Sequence, residues 1–429
     1  MSSPQIRVHS CAFVVSLYMS AVLYLSSQLP KRSETFVYRE LLALRASGLT
    51  VHAATLHAPE RDLGDARLDA LAAEAIPVYG AGWGRLVRDY VAERFLHPLR
   101  ATAVMWGAWR DALAADDVHG KARLKGPVQA LAGLALAHRV RPLGIAHIHA
   151  HFAHAPAAVA MYAAQQLGVP FSFTGHAVDL FRDRALLRIK LKRAAFVSCI
   201  SEWHRDFYQT LVPRPAADYP VIRCGVDTAE FAPTDAVARA EPVVLGVGRL
   251  VPKKGFDLLI EAAARLRARG CPVRVVIAGG GPEADRLAAL VRERGLTGSV
   301  ALLGDQSNAA VRNLLKEADV FALPCRVSGD GDRDGIPVVL MEAMAAGLCV
   351  VSGDLPALRE LVAHERTGLL VAPGDLDMLV VNIEQLLKDP VRRAELCAAG
   401  RRRVEEEFST RVNNQRIMNE LQKYRGKMP

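Results

Sequence analysis

The stretch PVVLGVGRLVPKKGFDLLIEAAARLRARGCPVRVVIAGGG, residues 242–281, decides the fold. A run of Val and Leu ends at a glycine, apolar residues at helical spacing follow over residues 255–270, and a second apolar run begins at residue 273. The next helical segment, residues 282–296, carries a proline in its first turn. Short apolar strands that alternate with helices of about 10–15 residues are typical of βαβ units and a parallel sheet.

Both halves of the 429-residue chain show this alternation. We therefore predict an α/β protein with two Rossmann-like doubly wound domains that face a central cleft. The expected N-terminal domain covers residues 19–225, an aperiodic linker covers 226–242, and the C-terminal domain covers 243–405. Helices within 406–429 are expected to pack back on the first domain, and a long helical stretch is expected near residues 84–139.

The N-terminus carries an apolar segment, CAFVVSLYMSAVLYL, at residues 11–25. It has about 15 residues, fewer than the roughly 20 that cross a bilayer. Residues 1–18 are expected to be a non-native or flexible extension, because Met19 stands just before the first apolar strand. The seven cysteines lack CxxC spacing, which favours reduced thiols. We expect a cytoplasmic protein with peripheral contact to the inner membrane.

The net charge of +9 is unevenly distributed. Residues 1–225 contain 26 Lys and Arg against 17 Asp and Glu, whereas residues 226–429 contain 28 of each class. This asymmetry predicts an anionic partner for the first half, either nucleic acid, an acidic substrate or an anionic membrane surface, and a merely solvated basic face is the alternative. Of these partners we expect the membrane surface or an acidic acceptor, and no nucleic acid.

Two loops of the second half have the composition of a phosphate site. Arg249 and Lys254 lie between a strand end and a helix start, where a guanidinium and an ammonium suit a diphosphate. The alternative is two surface cations. After the next strand, the glycines of AGGGPE let the backbone approach a ligand, although GxGxxG is absent. Glu283 in this segment is expected to bind this ligand. The alternative is that its carboxylate only interacts with the helix dipole, as is common in a first helical turn.

The stretch DGDRDGIPVVLMEAMAAG, residues 330–347, combines a loop of three aspartates with an apolar helix. It imitates an EF-hand, but position 12 of that loop is Met341 and not Glu. Asp334 and Glu342 are eight residues apart, which is up to about 12 Å along a helix. Two carboxylates at that separation can grip hydroxyls at both ends of an elongated ligand such as a nucleotide sugar. The alternative for Glu342 is a snorkelling surface acid.

Taken in this order and spacing, GRLVPKKG, AGGGPE and DGIPVVLMEAMAAG resemble the family-4 glycosyltransferases of the GT-B fold. In the first half, SETF, HAHF and TGHAVDLF resemble the branch that serves bacterial exopolysaccharide and colanic-acid-type assembly. The resemblance covers nearly the whole chain after residue 20. It implies two domains, a nucleotide-sugar donor bound mainly by the second, and no cofactor.

The resemblance also implies roles for individual residues. Arg249 and Lys254 would hold the donor diphosphate, Glu342 would bind the ribose, and Asp334 would contact the donor sugar at a position where the family usually has Glu. His176 in TGHAVDLF would face the reaction centre, oriented by Asp179. The expected catalytic residues are thus His176, Arg249, Lys254 and Asp334. The expected donor site comprises Gly248, Arg249, Lys254, Gly280, Glu283, Asp334, Gly335, Ile336 and Glu342.

Two further segments of the first half bear on the site. In HIHAHFAH, His147, His149 and His151 share one strand face, a pattern open to a zinc site. We predict no metal, because the resemblance places these histidines on a buried strand where they recur without one. In SSQLPKRSETFVYREL, the residues expected on the acceptor side are Lys31, Arg32, Ser33 and Glu34.

The predicted function is that of a retaining, metal-independent hexosyltransferase. It would move a sugar from a nucleotide sugar to a lipid-linked or other saccharide acceptor in bacterial exopolysaccharide or cell-surface glycan biosynthesis. Two alternatives stay open: a nucleotide-sugar epimerase of the same fold, and a non-catalytic partner in a polysaccharide assembly complex. Asp334 and Pro337, which replace the family's usual Glu and Gly, keep the second alternative open.

Overall fold

A computed structural model gives the structure of the protein. It describes residues 21–118, 120–176, 184–233, 241–329 and 331–424. The expected extension at residues 1–18, Asp179 and Asp330 lie outside the described residues. Among the helices of the described ranges, none combines the length and the apolar composition needed to cross a bilayer.

The first domain is built on a six-stranded parallel sheet with the order β3-β2-β1-β4-β5-β6. Its strands are β1 Ala21–Ser26, β2 Val51–Thr55, β3 Ile76–Pro77, β4 Ile145–His151, β5 Phe171–Gly175 and β6 Val197–Cys199. Strands β1, β4 and β5 are buried along their whole length because helices cover both faces of the sheet. The strand order reverses between β1 and β4, which is where ligands bind in open α/β sheets.

The helices of the first domain are shorter than the sequence predicts. They are α1 Thr35–Ala46, α2 Ala66–Glu74, α3 Trp83–Leu96, α4 Pro98–Ala114, α5 Lys125–Val140, α6 Ala155–Leu167, α7 Leu187–Arg193 and α8 Glu202–Leu211. The prediction of one long helical stretch near residues 84–139 is therefore wrong, because it is divided into α3, α4 and α5. Pro98 starts α4 because proline fits the first turn of a helix but breaks its interior.

The second domain repeats the topology of the first. Its parallel sheet has the order β12-β11-β10-β7-β8-β9, which reverses between β7 and β10. The strands are β7 Val243–Val247, β8 Arg274–Ala278, β9 Val300–Leu302, β10 Val320–Leu323, β11 Cys349–Gly353 and β12 Leu369–Val371. The two parallel sheets confirm the predicted fold class.

The helices of the second half follow the predicted alternation. They are α9 Phe256–Ala268, α10 Ala284–Glu293, α11 Asn308–Lys316, α12 Val338–Ala345, α13 Leu358–Leu361, α14 Leu376–Lys388, α15 Pro390–Arg403 and α16 Thr410–Gln422, with a π-helical turn at Val404–Phe408. The described part of the linker is not simply solvated, since Val226 and Phe231 are buried in the core of the second domain.

The last helix, α16, lies against the first domain. Its Ile417 and Leu421 are buried in the same apolar cluster as Leu41 of α1. Beyond the helix, the Tyr424 hydroxyl donates to the Ala195 carbonyl at 2.9 Å. The chain therefore crosses between the domains a second time after the second sheet is complete.

Contacts between the domains place the ends of the two sheets opposite each other. Asn308 Nδ2 donates to the Tyr38 hydroxyl at 3.0 Å. The Glu360 carboxylate accepts the backbone N–H groups of Glu202 and Trp203 at 2.8 and 2.9 Å, at the N-terminus of α8. A cavity between the domains is bounded by the loop after β6 and by the loops after β10 and β11. Its lining includes Trp203, Asp334 and Gly335.

Candidate active site

A buried pair of opposite charges lies at the carboxyl edge of the second sheet. Lys254 Nζ is 2.9 Å from Asp334 Oδ2, and Lys253 Nζ is 3.5 Å from Asp334 Oδ1. A tight turn positions both lysines between β7 and α9. Gly255 closes this turn with φ of 69°, and a side chain at that position would collide with the Pro324 carbonyl. The loops after β7 and β10 therefore meet through these charges.

Both groups of the Lys254–Asp334 pair are ionised. Burial opposes the carboxylate, but the charges of Lys254 and Lys253 outweigh it and hold the pKa of Asp334 below its usual range. Burial likewise opposes the ammonium, but the charge of Asp334 raises the pKa of Lys254 above its usual value. Cys325 Sγ donates to Asp334 Oδ2 at 3.4 Å, and burial raises the pKa of this thiol. An incoming diphosphate would compete with Asp334 for the lysine ammonium.

The other half of the predicted diphosphate grip is more open. Arg249 is exposed, and within the described residues its guanidinium has no carboxylate partner. Gly248 comes so close to Gly279 that a side chain on Gly279 would collide with the Gly248 carbonyl. The Gly280 N–H donates to Asp305 Oδ1 at 2.8 Å. The two glycine loops thus leave backbone close to the space beside Arg249.

Glu283 and Glu342 differ from each other in their surroundings. Glu283 precedes α10 and accepts from Arg286 Nε at 2.7 Å, so its carboxylate already has a partner on its own helix. Glu342 lies on α12 with a residue exposure of only 9%, and its Oε1 accepts from Arg39 Nη1 at 3.0 Å. Glu342 is therefore not a snorkelling surface acid. It faces the first domain, because Arg39 belongs to α1.

Between Asp334 and Glu342 the chain turns into α12. Gly335 lines the interdomain cavity, and Ile336 packs against the core of the second domain. Pro337 precedes the first helical residue with φ of −65°. Its missing N–H removes one donor from this helix terminus but does not disturb the helix, since the first backbone N–H groups of a helix have no intrahelical acceptor.

A chain of polar side chains ends at His176, at the carboxyl edge of the first sheet. His176 Nε2 is 3.3 Å from His151 Nδ1, and His151 Nε2 is 3.2 Å from Glu40 Oε1. Tyr24 donates its hydroxyl hydrogen to the same Glu40 oxygen at 2.9 Å. Burial, together with neighbouring imidazoles, lowers the pKa of His176 well below its usual value, so its ring is neutral at pH 7. We call Glu40, His151 and His176 the histidine relay.

The remaining histidines of β4 are occupied inside the domain. His147 Nε2 and His149 Nδ1 both lie 2.7 Å from the Ser172 hydroxyl, and His149 Nε2 lies 3.0 Å from the Thr174 hydroxyl. Burial lowers the pKa of His147 to about 3. The ligand atoms of Glu40, His149 and His151 lie within 4.8 Å of one another, so the spatial cluster includes Glu40 rather than His147. Both ring nitrogens of His149 already have hydroxyl partners.

The residues predicted on the acceptor side lie in the loop between β1 and α1. Lys31 Nζ is 2.5 Å from Glu34 Oε1, and burial raises the pKa of Glu34. Arg32 and Ser33 are exposed, and the Arg32 N–H donates to Glu60 Oε2 at 2.7 Å. The loop shares the carboxyl edge of the first sheet with His176. Its only internal ion pair among the described residues, Lys31–Glu34, leaves Arg32 open to solvent.

Sequence reasoning missed several residues at this site. Lys253 was not separated from its neighbour Lys254, although both lysines reach Asp334. Arg39 and Glu40 were also missed, because they are consecutive charges on a helix that mostly follows an amphipathic pattern. Arg333, whose guanidinium lies 5.6 Å from the centre of the Trp203 ring, joins the domains beside the cavity. The sequence did contain a signal for Arg39 and Glu40, because both stand between Tyr38 and Leu41, which are buried on the same helix.

Two facing Rossmann-like domains with charged loops at a shared cleft define the GT-B class, and a comparison of structures agrees. A crystal structure of HepE from Anabaena, in complex with UDP and glucose, matches 94% of this chain and 100% of its own chain with a TM-score of 0.65. At a sequence identity of 19%, this structural match shows a shared fold and nothing more.

Sequence comparisons match two segments of the chain to glycosyltransferase families. Residues 229–403 match the model for "Glycosyl transferases group 1", and residues 121–230 match the model for "Glycosyltransferase Family 4". Together the matches run from residue 121 to residue 403. They confirm the resemblance to the family-4 glycosyltransferases of the GT-B fold that the motifs predict.

Two curated relatives indicate the branch. The putative colanic acid biosynthesis glycosyltransferase WcaL of Escherichia coli is 36% identical over 210 residues, which are 48% of this chain and 52% of WcaL. The GDP-mannose-dependent alpha-(1-6)-phosphatidylinositol monomannoside mannosyltransferase of Mycobacterium tuberculosis is 37% identical over 198 residues, 44% of this chain and 51% of that protein. The chain thus spans about half the length of the curated relatives it matches.

Proposed function

We propose that the protein is a retaining glycosyltransferase that moves a sugar from a nucleoside-diphosphate sugar to a lipid-linked saccharide acceptor. The reaction would serve the synthesis of a bacterial exopolysaccharide or another cell-surface glycan. The observation that carries this proposal is the Lys254–Asp334 pair beside the exposed Arg249, at the strand ends of the second sheet. In a parallel sheet this edge is where phosphate ligands bind.

The chemistry of the donor half follows from these charges. Negative charge develops on the departing nucleoside diphosphate, and Arg249 and Lys254 would stabilise it. Asp334 pairs with Lys254 at 2.9 Å and would accept a hydrogen bond from a hydroxyl of the donor sugar. Glu342 would accept hydrogen bonds from the ribose hydroxyls once Arg39 leaves its Oε1. No step of this scheme requires a metal ion.

The acceptor half is assigned to the first domain. A neutral His176 at the strand edge would contact the donor sugar or the reacting oxygens, with Glu40 and His151 as positioning residues behind it. Lys31, Arg32, Ser33 and Glu34 would lie beside the incoming acceptor. The names of the relatives, one of colanic acid biosynthesis and one acting on a phosphatidylinositol mannoside, favour a lipid-linked acceptor at the cytoplasmic membrane face.

A transfer assay with defined stereochemistry tests the proposal. The full chain is titrated with UDP and GDP by calorimetry and then incubated with nucleotide sugars and lipid-linked oligosaccharides extracted from bacterial membranes. We expect one diphosphate to bind, and NMR of the product to show the anomeric configuration of the donor. EDTA should leave the rate unchanged. An inverted product or a rate abolished by EDTA would contradict the retaining or the metal-independent part, respectively.

Two observations favour a second candidate, a non-catalytic partner of an assembly complex. Arg39 occupies Glu342, the expected ribose ligand, and Pro337 removes a backbone donor nearby. A protein that had lost turnover would tolerate both features. Binding of UDP or GDP without sugar transfer to any acceptor extract would support this candidate, and measurable transfer would reject it.

A further inference from the structure

Helices α3 and α4 expose large apolar side chains along one side. On α3 four of them form a row at every fourth residue, namely Trp83, Val87, Val91 and Phe95, and on α4 the row is Leu99, Trp106, Trp109 and Leu113. Leu96 of α3 is also exposed but lies outside this spacing. Phe95 and Leu99 are 86% and 87% exposed, and Trp106 is 73% exposed. Both helices pack on α5 and contact each other, so they lie side by side. We call the two rows, without Leu96, the α3–α4 apolar face.

The charges around this face are sorted by sign. Between residues 83 and 114 every exposed charged side chain is an arginine: Arg85, Arg88, Arg94, Arg100 and Arg110. The three acids of the same segment, Asp89, Glu93 and Asp111, are buried. Each of these acids meets an arginine from outside the segment, since Arg139 contacts Asp89 at 2.6 Å, Arg193 contacts Asp111 at 2.6 Å, and Arg141 contacts Glu93. Asp89 also pairs with the exposed Arg88 at 3.0 Å and Arg85 at 3.9 Å, so the exposed arginines without a carboxylate partner among the described residues are Arg94, Arg100 and Arg110.

This sorting leaves a surface that is both apolar and cationic. An exposed apolar patch of this extent marks an interaction site. Tryptophan and arginine together are typical of helices that lie in the headgroup region of a bilayer, where apolar side chains enter the acyl boundary and cations meet lipid phosphates. The eight apolar residues and five arginines match such a surface in both respects.

We propose that the α3–α4 apolar face docks on an anionic phospholipid bilayer. A second copy of the chain is a poorer occupant, because a symmetric dimer through this face would set arginines against arginines with no exposed acid of the segment to offset them. The inference deepens the proposed function, which places the acceptor on a lipid. The docking proposal depends on the proposed function only for the biological reason to bind a membrane. Docking itself is measured without donor or acceptor.

Vesicle flotation of the full chain tests the proposal. The probes are vesicles of phosphatidylcholine alone and of phosphatidylcholine with roughly one third phosphatidylglycerol. We expect flotation with the anionic vesicles, and less of it at high salt. Three of the four tryptophans, Trp83, Trp106 and Trp109, belong to the face, so insertion should also shift the intrinsic fluorescence to shorter wavelength.

Two sets of variants separate the apolar and the cationic contributions. Phe95→Ser/Leu99→Ser/Trp106→Ser should lower the partition coefficient at least about tenfold, because apolar area no longer enters the bilayer. Arg94→Gln/Arg100→Gln/Arg110→Gln should lower it about tenfold on anionic vesicles only. The matched controls lie in the second domain: Val391→Ser, at a side chain that is 70% exposed, and Arg274→Gln/Arg292→Gln. These controls should float like the unaltered chain.

Three outcomes would overturn the proposal. The unaltered chain could fail to float with anionic vesicles, or both variant sets could float as well as their controls. Sedimentation velocity could instead show a dimer that the Phe95/Leu99/Trp106 variant dissociates, without any vesicle binding, which would assign the face to a second copy. Flotation with no sugar transfer would contradict the proposed function and leave the docking surface standing, so the two proposals fail separately.

Discussion

The two domains share one strand order but treat charge at their carboxyl edges in opposite ways. At the edge of the second sheet, Lys254 and the Asp334 carboxylate stay ionised and neutralise each other, and Lys253 Nζ lies 3.5 Å from the same carboxylate. At the edge of the first sheet, burial keeps His176 neutral, and Glu40 and His151 are linked to it by short polar contacts. The shared scaffold therefore does not determine the chemistry, which depends on the loops at the strand ends. The loops of the second sheet suit a charged ligand, and His176 at the edge of the first sheet suits neutral hydroxyls.

The largest effect is expected from removing a charge at the edge of the second sheet. Lys254→Ala should lower kcat/KM for sugar transfer by about 10²- to 10³-fold, because one preorganised cation no longer stabilises the leaving diphosphate. The measurement is initial-rate kinetics together with calorimetric Kd values for UDP and GDP. Lys388→Ala, which breaks the exposed Lys388–Glu384 pair, is the matched control and should have no effect.

The same variant can also fail for a structural reason, since it leaves Asp334 buried with a weaker partner. Adding Asp334→Asn to Lys254→Ala should recover the melting temperature but not the activity. If the double variant regained full transfer, the charged pair would have only a structural role.

A smaller effect is expected at the neutral edge. The Glu40 carboxylate accepts a hydrogen from His151 Nε2, which leaves His151 Nδ1 as the acceptor for His176 Nε2–H. Glu40→Met removes that acceptor and should lower kcat about 10- to 100-fold with little change in KM, as for a misplaced positioning group. Glu40→Gln retains an acceptor oxygen and should restore most of the rate.

NMR of nitrogen-labelled histidine reports the tautomers directly. The Glu40→Met variant should change the ring-nitrogen shifts of His151 and His176, whereas Glu40→Gln should leave them close to those of the unaltered chain. A lower kcat in Glu40→Met with unchanged tautomers would show that the relay does not act through proton position.

The contact that joins the two edges gives a third test. Arg39 Nη1 donates to Glu342 Oε1 at 3.0 Å, so a ribose hydroxyl that bound this oxygen would have to replace Arg39. Arg39→Met should tighten the Kd of the preferred nucleoside diphosphate about two- to fivefold, the scale of one modest ion pair. Arg312→Met is the control, because Arg312 pairs with Glu230 at 3.4 Å and not with Glu342. Weaker diphosphate binding in Arg39→Met would mean that Arg39 itself contacts the donor.

The smallest effect concerns pH. The pKa of Asp334 is lowered on folding, so its stabilising contribution is present above the ordinary aspartate value of about 3.9 and is lost as pH falls through the folded pKa. The pKa of Lys254 is raised, so its contribution is present below about 10.4 and is lost as pH rises through the folded pKa. Urea unfolding of the unaltered chain and the Lys254→Ala/Asp334→Asn variant should differ by a constant amount between these limits. A difference that changes near neutral pH would contradict the assignment.

The sequence predicted the architecture well because the relevant signals are local. Strands such as Val243–Val247 and Val320–Leu323 are continuous apolar runs bounded by turns, and helices such as Phe256–Ala268 carry their own apolar spacing. The α3–α4 break was missed although Pro98 marks it, since the helical pattern continues on both sides. The placement of Lys254 and Asp334 at one edge followed from the parallel sheet, in which strand ends meet.

Partners that are remote in sequence were beyond such reasoning. Arg39 and Glu342 are 303 positions apart, and Glu40 and His151 are 111 apart. No periodicity links such pairs, because their approach depends on how two domains and several helices pack. The roles of all the expected donor-site residues toward a donor stay predictions.

The sequence alone predicts two parallel-sheet α/β domains, with loops of phosphate-binding composition in the second and an excess of basic residues in the first. The tertiary structure determines which of the charged side chains are exposed to solvent. The acids of α3 and α4 are turned inward onto Arg139, Arg141 and Arg193, so a segment of mixed charge presents only arginines beside its apolar face. Composition counts charges wherever they lie, whereas burial and pairing, which arise only from packing, determine the charges that a partner meets.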